Sequence, residues 1–177
     1  MGETVGRDDL ENEGSGTDVG AVLEDGVLAG LVGAGIVAAW FLLIDSVRNA
    51  PFYTPTLLGS VIFAGKSPDQ VTEADPTMIF SYSGLHGMAF LLAGLLIAWM
   101  FQVFEQNPQF GMVLLLLFLL FESIVLGLEM TILNDLVGAI GTWAVAVANF
   151  LSATGMFAYL LRRRPLAFAR LRAGWAE

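Results

Sequence analysis

Apolar residues along this chain do not alternate with polar ones. They run together in blocks about as long as a bilayer is thick. Four blocks, near 27–47, 79–102, 110–132 and 137–161, hold enough apolar residues for a helix to cross the hydrocarbon core, which takes about 20 residues. The second and third are separated by "VFEQNPQF", and the third and fourth by little more than "LNDL". Connections this short make the flanking helices antiparallel neighbours. The pattern predicts an all-α fold, an integral membrane four-helix bundle over residues 23–164.

Between the first two blocks, residues 48–78 are too many for a mere connection. Within them "PFYTPTLLGSVIFAG" offers Thr54 as an N-cap and Pro55 at the first helical position, followed by an apolar run. The expected helix, 54–65, is too short to span, so it lies in the outer interface or re-enters the bundle. Small residues recur every four positions at Gly26, Gly30, Ala34 and Ala38, and again at Ala144, Ala148 and Ser152. Such rows let helix backbones approach closely, and they are expected to meet other helices of the same chain.

The flanks are polar. Residues 1–22 are acidic and rich in glycine and serine, which reads as a disordered tail. They show neither a basic leader nor an apolar core of the signal-peptide kind. At the other end, residues 165–177 place Phe168, Leu171 and Trp175 among arginines at helical spacing, as an interfacial helix would. The net charge of −9 divides along the chain: eight of the 17 acids precede residue 26, and five of the eight basic residues follow 161. Basic flanks stay cytoplasmic, so Arg162, Arg163, Arg164, Arg170 and Arg172 put the C-terminus inside the cell membrane. Four spans then bring the N-terminus to the same side, leaving Arg48 and Lys66 outside. The acidic, lysine-poor polar segments also suit a halophilic composition.

Composition removes several chemistries. With no cysteine there are no disulfides, iron–sulfur clusters or thiolate nucleophiles. One histidine cannot supply both axial ligands of a haem. The single lysine, Lys66, falls in a loop rather than in a span, which excludes a buried Schiff base. Phosphate-binding glycine motifs are missing as well, and neither a cofactor nor nucleic-acid binding is expected.

What remains is a set of polar residues inside the apolar blocks: Asp45, His86, Glu122, Glu129 and Asn149. A charge at the centre of a membrane helix costs about 2.5–3.5 kcal/mol, and such groups normally face protein or water. Glu122 and Glu129 share one helix face about 10 Å apart along the axis, too far to share a proton. Glu122 and Asn149 fall near mid-membrane, where a neutral carboxyl bonded to the amide would pin two helices. Asp45, His86 and Glu129 fall toward the outside and are expected to line one pocket. That set offers mixed nitrogen and oxygen ligands for a metal, though without the spacing of a recognised metal motif. Each also has a plainer role: Asp45 as a helix-end cap near Arg48, His86 as a packing group, Glu129 as a solvated surface acid.

The segments "AAWFLLIDSVRNAPFYTPTLLGSVIF", "LHGMAF", "FLLFES" and "AVANFLSA" resemble a widespread group of uncharacterised prokaryotic four-transmembrane-helix membrane proteins. The likeness covers roughly residues 27–164 and rests on Trp40, Asp45, Pro51 to Gly59, His86, Glu122 and Asn149. It implies the four-span fold and brings no activity. Small multidrug transporters also carry a membrane glutamate, but in the first span, where this chain has none. The sequence therefore leads to a non-enzymatic membrane component, with the lipid bilayer and a homo-oligomer or membrane-complex partner as its associates. A proton- or cation-coupled transporter or channel and a metal-dependent membrane enzyme stand as alternatives.

Overall fold

A computed structural model describes residues 19–107, 116, 138 and 140–164. Their structure is helical, with no strand among the described residues. The described residues form four long α-helical elements, α1 (Val19–Val47), α2 (Tyr53–Ala64), α3 (Pro76–Gln106) and α4 (Thr142–Arg163), with a short 3₁₀ turn at Pro68–Gln70. By length and composition α1, α3 and α4 are each able to cross a membrane, whereas α2 is not.

The helix ends follow local chemistry rather than hydropathy. α1 begins at Val19, inside the segment expected as a tail, and carries Glu24 and Asp25 in its early turns. It stops where Asn49 turns left-handed (φ 58°). There the Ala50 N–H returns to the Asp45 carbonyl at 2.9 Å and the Asn49 N–H to the Ser46 carbonyl at 3.1 Å. This pair of bonds satisfies the last carbonyls of the helix, and Pro51 prevents its continuation. α2 opens after Phe52, which is also left-handed (φ 65°), and closes at the left-handed Gly65. Thr54, expected as its cap, is instead its second residue. α3 begins at Pro76, three residues before the apolar block, because Asp75 caps it: the Asp75 carboxylate accepts from Thr77 N–H at 2.9 Å and from Met78 N–H at 3.4 Å.

α1 is the central element. α3 packs along one side of it and α4 along another, while α3 and α4 touch each other little. The α1–α3 crossing is built from glycines. A Cβ on Gly94 would collide with the carbonyl of Gly26 and lie 2.6 Å from the Gly30 nitrogen, and one on Gly26 would lie 2.7 Å from Leu95 Cα. Backbone meets backbone there, so no side chain fits. Against α4, the buried row is Ala144, Ala148, Ser152, Met156 and Leu160. Both small-residue rows thus face helices of this chain, although Ala38 is exposed.

Two apolar clusters fill the contacts. Val22, Ala29, Ala98, Met156 and Leu160 form one, and Leu57, Val71 and Ile140 the other, where α2 and the loop after it cover the opposite end. Pairings along the helices give the directions: Trp40 lies beside Ala144 and Asp25 beside Arg164. Gly30 lies beside Phe90 and Leu91. α3 and α4 therefore both run antiparallel to α1 and parallel to each other. Asn107 stands at one end of the bundle and Ile140 at the other.

Candidate functional site

The buried carboxylates among the described residues lie near the two ends of α1. At the end near α2, Asp45 is fully buried, and its carboxylate accepts from both the Thr54 N–H (2.7 Å) and the Thr54 hydroxyl (2.8 Å). The N–H belongs to the first turn of α2, one of the donors a helix leaves unpaired at its start. Asp45 thus caps α2 from the neighbouring helix, rather than capping its own helix beside Arg48. The Thr56 hydroxyl bonds the Phe52 carbonyl at 2.8 Å and in turn accepts from the Asp75 N–H at 3.4 Å, linking α2 to the start of α3. Arg48 turns away and donates to the Ile140 carbonyl at 3.3 Å. Nearby the Trp40 indole N–H donates to the Ala144 carbonyl at 2.9 Å, and its ring meets Trp143 edge to face with centroids 6.1 Å apart.

The opposite end holds an ion network. Asp25, 5% exposed, receives Arg163 on one oxygen at 3.0 Å and Arg164 on the other at 2.9 Å. Arg164 also reaches Glu105 of α3 at 3.1 Å, and Arg163 reaches Glu24 at 2.5 Å. One buried guanidinium thereby ties α1, α3 and the end of α4. Gln102, one turn before Glu105, is buried beside this end. From the sequence, Arg163 and Arg164 were legible only as topology signals. The clue to their pairing was an acidic pair, Glu24 and Asp25, at the same end of the first apolar block as the arginines of the last.

His86 lies between these ends. It packs between Tyr82 and Phe90, with ring centroids 5.7 and 4.7 Å away. Its Nε2 is 3.5 Å from the Ala34 carbonyl. Ala34 is nine residues from Asp25 and eleven from Asp45 along α1. His86 is therefore about 16 Å from the Asp45 level. The structure does not bring Asp45 and His86 into one outer pocket. Asp45 has both carboxylate oxygens occupied, and no group of three candidate metal ligands occurs among the described residues. Glu122 and Glu129 lie outside the described residues, and with them the proposed Glu122–Asn149 bond. Asn149 itself is exposed on α4, and its carbonyl accepts from the Ser152 hydroxyl at 3.1 Å.

A third feature is a hollow of about 310 Å³ on the α2 side, lined by Ser60, Lys66 and the strand of loop from Gln70 to Pro76. It is polar and open. Comparison with known proteins adds nothing to these sites: no family model, curated protein or solved structure matches the chain.

Proposed function

We propose that the chain is an integral protein of the cell membrane, with both termini cytoplasmic, that serves as a non-enzymatic membrane component or assembly partner. The membrane placement is supported by the two polar ends of α1. Asp25 and Asp45 are twenty residues apart, about 30 Å along a helix, which matches the thickness of a hydrocarbon core. Between those levels the outward side chains are large and apolar, among them Leu92 on α3 and Phe150 on α4, 64% and 71% exposed. A protein in water rarely leaves such continuous apolar surface uncovered. The inner assignment of the Asp25 end follows from Arg162, Arg163 and Arg164, which lie there. The fourth expected span, 110–132, lies outside the described residues apart from Leu116.

The observation that carries the functional reading is how the ionisable groups are used. Asp25, Asp45, His86 and Glu105 each contact a group on another helix or at its end. They act as ties between elements. In a bilayer such ties fix which helices meet, because lipid and leucine are equally apolar and hydrophobicity alone selects no partner.

Affinity purification of the full chain from gently solubilised native membranes tests this reading. A stoichiometric protein partner that survives detergent is the expected result. Proton or cation flux through vesicles containing this chain alone would instead support the transporter alternative and overturn the assembly role.

A further inference from the structure

Beside the outer ends of α2 and α3, one hollow collects charges of both signs that take no ion-pair partner among the described residues. Lys66 and Glu73 both line it, and neither takes an ion-pair partner among the described residues. They line the same space without pairing with each other. The main chain at Lys66 is held: Gly65 is left-handed, and the Lys66 N–H returns to the Ser60 carbonyl at 3.2 Å. Asp75, at the far side, uses one oxygen as the cap of α3. The N–H groups of Thr72, Glu73 and Ala74 find no acceptor among the described residues. Ser60, 1% exposed, and Val71, 9% exposed, are the buried residues on the wall.

We propose that this hollow binds a small zwitterion that carries an anionic oxygen group and a primary ammonium. The anionic group pairs with the Lys66 ammonium and the main-chain N–H groups of Thr72, Glu73 and Ala74. The ligand's ammonium, with three donors, pairs with Glu73 and the remaining Asp75 oxygen. A volume of about 310 Å³ takes a ligand of this size. Two sources supply the same chemistry: a free amino acid, or the phosphoethanolamine headgroup of a membrane lipid. This site does not depend on the assembly role, and the two tests fail separately.

The test is titration calorimetry on the full chain in detergent at low ionic strength, because exposed charges are screened by salt. Alanine and short-chain dihexanoyl phosphatidylethanolamine are the two zwitterions; inorganic phosphate and ethanolamine are the single-charge controls. At least one zwitterion is expected to bind ten-fold or more tightly than either control. A preference for alanine identifies a free amino acid, and a preference for the lipid identifies a headgroup. Lys66→Glu and Glu73→Lys are each expected to weaken binding at least ten-fold with the helical circular dichroism unchanged. The double reversal, which restores one charge of each sign, should recover most of it. Zwitterions binding no better than the controls, or single reversals without effect on a folded protein, would overturn the proposal.

Discussion

The Asp45 carboxylate holds Thr54 by two bonds at once, 2.7 Å from its main-chain nitrogen and 2.8 Å from its hydroxyl. Nine residues separate the two, and the chain between them makes two left-handed turns, at Asn49 and Phe52. A carboxylate at the last turn of one helix thus supplies the missing acceptor at the first turn of the next. This contact ties the start of α2 to α1, while Thr56 and Gly59 hold α2 against the start of α3.

The contact is testable by a double-mutant cycle. Thr54→Val removes one bond and keeps the other, and is expected to cost about 1.5–3 kcal/mol, the range for a hydrogen bond to a charged group. Asp45→Ala should cost more, since it leaves the α2 N–H unpaired in a buried place. The two losses should not add when combined. Thermal unfolding in detergent measures all three, and simple additivity would show that the pair does not act as a unit.

The glycine crossing gives a prediction of opposite sign at two positions on one helix. Gly94→Ala puts a methyl into the backbone of α1 at Gly26 and Gly30, where nothing flexible can yield, so the bundle should be strongly destabilised. Gly87→Ala, with open space at its Cβ, should be neutral or slightly stabilising, because alanine favours helix by about 1 kcal/mol over glycine. Melting temperatures of the two variants check this directly. Equal effects would contradict the α1–α3 contact.

At the Asp25 end, burial separates residues that look alike in sequence. Arg164→Met leaves Asp25 and Glu105 short of a cation and is expected to cost about 3–5 kcal/mol. Replacing Asp25, Glu105 and Arg164 together with apolar residues of similar size should recover most of that loss. Glu24→Gln, on an exposed side chain, should leave the melting temperature unchanged. Chemical denaturation of the set distinguishes the cases, and a costly Glu24→Gln would show that the network is not confined to its buried members.

The same contrast explains what the sequence made legible. Blocks of apolar residues announce spans because lipid demands them, and a loop helix after Pro51 announces itself through proline and glycine chemistry. Hydropathy, however, marks only the part of a helix at hydrocarbon depth. It therefore missed Val19 to Gly26 of α1, where paired acids continue the helix. It also missed Pro76, although the Asp75–Pro76 cap is a local signal that could have been read. His86 lies further from the Asp45 level than expected because α3 starts at Pro76, three residues before its apolar block, where Met78 packs on Gly59 of α2. The Asp45–Thr54 partnership was not legible, since it depends on how two helices pack, and the Asp25–Arg164 one left only the shared end of the two apolar blocks as a clue. Glu122 and Glu129, prominent in the sequence, lie outside the described residues.

Placement in the membrane is the premise on which the ties, the depths and the orientation all rest. The chain has no cysteine, so single cysteines can be introduced at Ser67, in the loop after α2, and at Gln106, at the far end of α3. Labelling intact cells with a membrane-impermeant maleimide, then repeating it on inside-out vesicles, reads the side on which each lies. The Ser67 position should label only from outside and the Gln106 position only from inside. Labelling of both positions from the same side would contradict a bundle whose two polar ends face opposite surfaces of the bilayer.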